Sequence, residues 1–317
     1  MIEKLQTILI GTSLTEASDP VVQSGVLLAR RCGAKIHLAH AYATPMTYSG
    51  APFFPDYSMG EVLKAERAAL QRQLDTQVAR LGIDRTELAG IHLEVSPPHR
   101  HLIETAGEIG ADLIVVGSSE SPRLAKVFGS TADRVIRKAA CPVLVVRDEL
   151  QIPLRRVLLP VDLSPLSADA FEAGMRFLVW IGGGAPPAPS LEALALFVMT
   201  EVDRQALSGR TTEYEVEQLA DQELRRFVAL HAAGVPWKVE ARVEEGFVDT
   251  GILDRIEIWT PDLVILGTHG RGGFERFLLG SVASTVIRQG ASSVLVIPPK
   301  AARQEDAKAE TAREAVV

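Results

Sequence analysis

Residues 267–298 of this chain read GTHGRGGFERFLLGSVASTVIRQGASSVLVIP. The stretch follows a short apolar run, Leu263 to Leu266, of the kind that forms a buried parallel strand. A glycine-rich loop comes next, then a helix predicted from about Ser281 to Gln289, and then a second apolar run from Val294 to Ile297. Strand, loop, helix and strand in this order form half of a parallel α/β unit.

The same pattern occurs once before in the chain, at an almost constant spacing of 149 to 151 residues. The paired positions are Ile8 with Val157, Gly117 with Gly267, Gly129 with Gly280, and Val143 with Val294. Short strands alternating with helices, twice over, predict an α/β fold of two tandem Rossmann-like domains, each a five-stranded parallel sheet with helices on both faces. We expect the domains to span 1–149 and 150–299, followed by an alanine-rich, disordered tail at 300–317.

Composition narrows the function classes. The chain has 317 residues, 47% of them hydrophobic and 23% charged, which suits a soluble globular protein with room for two cores. A net charge of −7 argues against nonspecific binding to nucleic acid or to anionic membranes. Its two cysteines do not have the CxxC spacing of a metal or redox motif. No run approaches the ~20 apolar residues of a membrane span, and the first apolar run is too short for the core of a secretion signal. The expected location is the cytoplasm.

The glycine loop carries the main chemical signal. Gly267 and Gly270 follow the carboxyl end of a strand, where parallel sheets bind ligands, and they let backbone N–H groups approach an anion. Gly280 and Ser281 begin a helix whose unpaired N–H groups and dipole favour phosphate, with Ser281 as the expected cap. Arg271 adds positive charge. The alternative is a glycine-rich turn before a well-capped helix.

A second group of candidates follows the first strand of the same half, at Pro160, Val161 and Asp162. This segment also lies at the carboxyl edge of the predicted sheet. The Asp162 carboxylate suits a ribose hydroxyl, and the backbone of Val161 suits an adenine edge. The alternative is that Asp162 is only a loop or cap residue.

The pattern G-x-x-G, nine residues, G-S, together with the first-strand aspartate and the closing apolar strand, resembles the universal stress proteins over both halves of the chain. In the ATP-binding branch of that family these positions hold adenine, ribose and phosphates, often with a divalent metal such as Mg on the phosphates. The resemblance implies that Val161 and Asp162, after Pro160, serve adenine and ribose, and that Met199 contacts adenine through its backbone. The implied phosphate contacts are Gly267, His269, Gly270, Arg271, Gly280, Ser281 and Val282.

The first half departs from this pattern in three ways. Glu120 replaces the second glycine, the loop before Gly129 is one residue shorter, and Ser13 stands where Asp162 stands in the second half. A carboxylate at position 120 would repel a phosphate. We therefore expect ATP in the second half alone.

The resulting hypothesis is an ATP-binding stress-response regulatory protein. Two alternatives stay open: a slow ATPase or phosphotransfer enzyme using the same pocket, and a nucleotide-free module that binds an apolar ligand or an unidentified protein through the aromatic loop 44–60. The chain has no P-loop sequence, and only His269 is an obvious titratable group in the site, so no catalytic residue is nominated. Family members commonly pair through their last strands, which here implies an internal pseudo-dimer of 143–146 with 294–297, with a homodimer as a further possibility.

The remaining histidines predict no metal site. His37 and His40 lie on opposite faces of one strand and cannot share an ion. His99 and His101 lie at the start of a predicted helix, where we expect them to be solvated.

Overall fold

The computed structural model describes residues 4–42, 59–118, 129–182, 191–207, 213–270 and 279–299. Four sequence predictions fall outside these ranges: those on Glu120, on Arg271, on nearly all of the aromatic loop 44–60, and on the tail 300–317.

Within the described ranges, strands and helices alternate through both halves. The first half contains β1 (Thr7–Gly11), α1 (Asp19–Cys32), β2 (Lys35–Tyr42), α2 (Met59–Arg80), β3 (Leu88–Val95), α3 (Pro98–Glu108), β4 (Leu113–Gly117), α4 (Ser130–Lys138) and β5 (Val143–Val146). The second half contains β6 (Arg156–Pro160), α5 (Pro165–Ile181), β7 (Glu192–Met199), α6 (Glu201–Leu207), α7 (Glu213–His231), β8 (Val239–Glu245), α8 (Val248–Trp259), β9 (Leu263–Gly267), α9 (Ser281–Gln289) and β10 (Ser293–Ile297).

These strands form one sheet in the order β3-β2-β1-β4-β5-β10-β9-β6-β7-β8. The five strands of each half are parallel and follow the same order, which confirms the predicted fold class. The two sheets are joined into one because β5 and β10 pair antiparallel, with Leu144 opposite Leu295. The last strands of the two halves thus pair within one chain. The division into units 1–149 and 150–299 stays a prediction of the sequence.

Helices cover both faces of the sheet. One face packs against α1, α2, α5 and α7, through buried residues such as Val22, Leu74, Phe171 and Leu224. The other face packs against α3, α4, α8 and α9, through residues such as Leu102, Val135, Ile252 and Val286. Apolar residues on both faces explain why the central strands read as unbroken apolar runs instead of alternating ones.

Two helix starts differ from the sequence expectation, and one helix was not predicted. From the sequence, helix α5 is expected to begin at about Asp169. It begins four residues earlier, at Pro165, because the Ser164 hydroxyl accepts a hydrogen bond from Ser167 N (3.2 Å) and caps it. Helix α2 begins at Met59, inside the loop predicted to end at Gly60. The short helix α6 was not predicted.

Candidate functional site

The candidate site lies at the carboxyl ends of β6 and β9, which are neighbours in the sheet. From β6 the chain continues to β7 on one side, and from β9 it continues to β10 on the other. The chain thus leaves the two neighbouring strands toward opposite sides, and we call the space between the two loops the crevice. This is the topological switch point at which open α/β sheets bind ligands.

The turn after β6 fixes Asp162. Val161 N donates a hydrogen bond to Leu196 O of the neighbouring strand (2.8 Å), and Asp162 Oδ1 accepts one from Ser164 N (2.9 Å). Leu163 between them has a φ of 63°, a left-handed conformation that this turn imposes on a side-chain-bearing residue. Asp162 thus has the turn role weighed as the alternative, and only one of its carboxylate oxygens makes that turn bond.

The other oxygen, Asp162 Oδ2, faces Gly270 in the loop after β9. A β-carbon on Gly270 would lie less than 3.0 Å from this oxygen, which is closer than real β-carbons approach. Glycine at 270 therefore lets the carboxylate and the loop backbone come together. Since the loop meets a carboxylate here, this part of the crevice favours a hydroxyl donor over a phosphate oxygen.

Three hydrogen bonds order the described part of the glycine loop, and the first two of them close its base. Thr268 N donates to Ile297 O (3.1 Å), Gly280 N donates to Thr268 O (2.8 Å), and the Thr268 hydroxyl bonds His269 Nδ1 (2.9 Å). Gly267, the last residue of β9, packs against Ala170 of α5, with 3.1 Å from a β-carbon built on Gly267 to Ala170 Cβ. Both described ends of the loop are thus anchored to the sheet, while 271–278 lie outside the described residues.

The start of α9 offers backbone donors to an anion. The N-cap of this helix is Gly280, which has no side chain to cap it, so the expectation that Ser281 would be the cap is wrong. Ser281 is the exposed first residue of the helix, and the half-buried Val282 follows it. The N–H groups of a first turn have no acceptor within their own helix, and together with the helix dipole they favour a negative ligand.

Met199 ends β7 with its side chain almost fully buried, at 2% exposure. Its carbonyl oxygen already accepts a hydrogen bond from Gly246 N (3.1 Å). The adenine contact of Met199 that the resemblance implies stays a prediction.

The first half has the same backbone frame. Thr12 N donates to Ala39 O (2.9 Å) as Val161 N does to Leu196 O, and Gly129 N donates to Ser118 O (2.7 Å) as Gly280 N does to Thr268 O. The shorter loop therefore does not change the geometry at its two described ends. Residues 119–128 themselves lie outside the described ranges.

What differs in the first half is the chemistry at the end of β1. His40 Nδ1 bonds Thr12 O (2.8 Å), at the position equivalent to Val161, and the Thr12 hydroxyl bonds Gln77 Oε1 (2.8 Å). Ser13, which replaces Asp162, bonds the hydroxyl of Thr15 (2.8 Å). This hydrogen bond of His40 was not predicted from the sequence. The bond exists because the ends of β1 and β2 lie side by side in the sheet.

Two further findings concern metal ions and membranes. Among the described residues, no group of three or more histidine, cysteine, aspartate or glutamate side chains is arranged to hold a metal ion. A search of the same residues for a helix long and apolar enough to cross a bilayer found none.

Comparison with known proteins agrees with this architecture. The sequence model of the universal stress protein family matches twice, at residues 4–147 and 153–298, so the chain belongs to that family. A universal stress protein of Mycolicibacterium smegmatis is 27% identical over 309 residues, covering 92% of this chain and 97% of the relative. Universal stress protein G of Escherichia coli O157:H7 is 33% identical over 132 residues, covering 42% of this chain and 90% of the relative.

Solved structures show the same fold over the whole length. A crystal structure described as a putative universal stress protein from Pseudomonas aeruginosa UCBPP-PA14 has a TM-score of 0.63 at 16% identity, covering 97% of this chain and 98% of that one. A universal stress protein from Archaeoglobus fulgidus has a TM-score of 0.60 at 19% identity, covering 92% and 98%. At these identities the likeness establishes the tandem fold.

Proposed function

We propose that this protein is a cytoplasmic stress-response regulator that binds one ATP, with Mg, in its second half. The observation that carries the proposal is the meeting of Asp162 with Gly270 at the switch point between β6 and β9. The first half repeats the backbone frame but has Ser13 in place of the carboxylate, so a site that needs Asp162 exists once per chain.

The charges of the crevice suggest how the nucleotide lies. The carboxylate of Asp162 accepts the ribose hydroxyls, because a phosphate placed against it would be repelled. The phosphates then lie toward the N-terminus of α9, against the N–H groups of Ser281 and Val282 and beside His269, where the helix dipole is favourable. The base lies beyond Val161, toward the backbone of Met199.

A held nucleotide suits this site better than rapid turnover. Among the described residues, His269 is the one obvious titratable side chain of the crevice apart from Asp162, and its Nδ1 is engaged with the Thr268 hydroxyl. A general base must reach the proton that it removes, and the described residues provide no further candidate at the crevice. Slow hydrolysis in the same site is an outcome that the experiment distinguishes.

The test uses the full chain and two measurements. Mass spectrometry of the denatured protein identifies any nucleotide that co-purifies, and calorimetric titration with Mg-ATP gives the affinity and the number of sites. We expect one site per chain. Asp162→Ser, which copies Ser13, should raise Kd at least about tenfold, a loss of about 1.4 kcal/mol. Asp254→Ser removes the same charge from an exposed position on α8 and should leave Kd unchanged.

The other outcomes are equally informative. Absence of co-purified nucleotide, together with no binding of added Mg-ATP, would overturn the proposal and leave the nucleotide-free binding module. Two sites per chain would contradict the assignment to the second half alone. Steady release of ADP that Asp162→Ser abolishes would establish the slow ATPase.

A further inference from the structure

Two histidines of the first half face each other on neighbouring strands. His37 lies on β2 and His92 on β3, with His37 Nδ1 and His92 Nε2 3.0 Å apart. The ring centroids are 5.3 Å apart, so the two rings point these nitrogens at one another head to head. The pair is remote from the proposed nucleotide site and makes an independent candidate.

A local irregularity of the sheet creates this contact. The β2–β3 register passes from Ile36 opposite Leu88 to His37 opposite Gly90, so Ala89 is an extra residue on β3. Bulges of this kind redirect side chains. Gly90 then provides the space, since a β-carbon there would lie 2.5 Å from His37 Nδ1 and 3.0 Å from His92 Nε2.

The equivalent strands of the second half lack every part of this arrangement. Strands β7 and β8 pair without a register shift, and Leu194 lies opposite Glu240 where His37 lies opposite Gly90. Arg242 takes the position of His92. The histidine pair is therefore specific to the first half, and β8 is a natural reference for β3 within the same molecule.

Helix α3 lies next to the histidine pair. His101 of this helix is buried, at 4% exposure, so the expectation that it would be solvated is wrong. Its Nε2 lies 3.2 Å from His92 O, and its Nδ1 lies 2.8 Å from Glu94 Oε2. The charged and titratable groups around the pair are Lys35 on β2, Glu94 on β3, and His101 and Glu108 on α3.

Two imidazole rings that face each other nitrogen to nitrogen can form a hydrogen bond only in some of their protonation states. One of the two facing nitrogens must carry a hydrogen and the other must present its lone pair. This holds when both rings are neutral and when one ring is protonated. When both are protonated, two positively charged N–H donors face each other and the bond cannot exist.

We propose that the His37–His92 pair is an acid-sensitive contact that holds strand β3 in the sheet. The contact breaks when both imidazoles become protonated. Among the described strands, β3 is the outermost on its side of the sheet and pairs with β2 alone. Repulsion within the pair thus acts on the hydrogen bonds between β2 and β3. It acts next to the bulge, where the regular pairing of these two strands is already interrupted.

The local environment sets the direction of the pH response. Burial lowers the pKa of His37, and the neighbouring His92 and Lys35 lower it further. Burial also lowers the pKa of His92, with His101 acting in the same direction and Glu108 opposing it. A histidine whose pKa is lowered by folding stabilises the fold fully above its unfolded value of about 6.5, and this contribution is lost as the pH falls below it.

Hydrogen–deuterium exchange on the full chain tests the proposal. Between about pH 7.5 and about pH 5, the range over which histidines titrate, we expect protection of the β3 amides to fall at least about tenfold after correction for intrinsic exchange. The β8 amides, residues 239–245, should keep their protection over the same range. An equal response in β3 and β8 would overturn the proposal without any variant.

Two variants locate the effect. In His37→Gln the side-chain oxygen accepts a hydrogen bond from His92 whether or not the imidazole is charged, so β3 should stay protected in acid. His99→Gln changes a histidine on α3 outside the pair and should keep the wild-type acid response. If β3 still loses protection in acid in His37→Gln, another group causes the loss and the proposal is refuted. If this variant folds poorly, titrating the His92 ring by NMR in the wild-type chain decides: an ordinary single step near pH 6.5 would refute coupling.

Discussion

The carboxylate of Asp162 occupies the space that a side chain on Gly270 would need. One oxygen of this carboxylate binds Ser164 N and holds the turn after β6, and the other faces the loop after β9. The two loops that frame the crevice are therefore fitted to each other through a single side chain. A change at either residue should affect both loops.

This contact predicts that Gly270→Ala is harmful even though alanine is small. The new methyl group must displace the carboxylate or the loop, at a cost of about 1–3 kcal/mol typical of overpacking. Mg-ATP affinity should fall with it, and calorimetry and chemical denaturation measure the two effects. Gly107→Ala is the matched control, since a β-carbon on Gly107 meets no atom within 4 Å. Equal stability and affinity in Gly270→Ala and wild type would contradict the prediction.

The fold was largely predictable from the sequence because both sheet faces are covered. Strands such as β4, β9 and β10 are continuous apolar runs, and glycines mark where they end. Site positions near Gly267 and Gly280 followed from the same pattern. The contact between Asp162 and Gly270 did not, because it joins two loops that are remote in sequence.

The histidines show where reading from the sequence alone fails. Alternation along β2 placed His37 and His40 on opposite faces, and their separate partners, His92 and Thr12, agree with this. The burial of His101 and the pairing of His37 with His92 depend on helix packing and on a one-residue bulge. Neither feature leaves a periodic signal in the sequence.

A second prediction concerns the amino ends of the central strands. Asp112 Oδ2 accepts hydrogen bonds from Gln6 N (2.8 Å) and Thr7 N (2.9 Å), and Asp262 does the same for Arg155 N and Arg156 N in the second half. Burial raises the pKa of Asp112, against the effect of these two amides, so folding disfavours the charged form of this side chain. Asp112→Asn keeps an oxygen acceptor and should cost less than about 1 kcal/mol, whereas Asp112→Ala leaves donors unpaired and should cost about 1–3 kcal/mol. Urea denaturation measures both, and equal losses would show that the charge matters.

A third prediction concerns acid stability of the first half. Two hydrogen bonds from Arg30 (2.7 and 2.8 Å) and one from Asp84 N hold the pKa of Glu87 at about 2, below its ordinary 4.5. A carboxylate with a lowered pKa stabilises the fold fully above its unfolded pKa and loses this effect as the pH falls toward its folded value. Because the pair is partly exposed, we expect only about 0.5–1 kcal/mol.

Glu87→Gln should therefore lower the denaturation midpoint near neutral pH, and the difference from wild type should shrink steadily below about pH 4.5. Glu104→Gln breaks the more exposed Arg100 pair and should have almost no effect at any pH. A Glu87→Gln difference that stays constant down to about pH 2 would refute the assignment to this ionisation.

The last prediction concerns the junction between the halves. Arg147 follows β5 and donates to the carbonyl oxygens of Ile287 (2.6 Å) and Arg288 (3.1 Å), in the last turn of α9. Burial lowers the pKa of this guanidinium. Arg147→Met keeps the side-chain length but leaves these carbonyls without their donor, at an expected cost of about 2–3 kcal/mol. The exposed neighbour Arg155→Met should be neutral.

The tryptophans allow this loss to be located. All three, at 180, 237 and 259, lie in the second half, so their fluorescence follows that half while far-UV circular dichroism follows the whole chain. A cooperative two-state protein shows the same transition by both probes. We expect the two curves to separate in Arg147→Met further than in wild type, because the variant removes a bond between the halves. If the variant is less stable but its two curves lie no further apart than those of wild type, Arg147 stabilises α9 alone and does not couple the two halves.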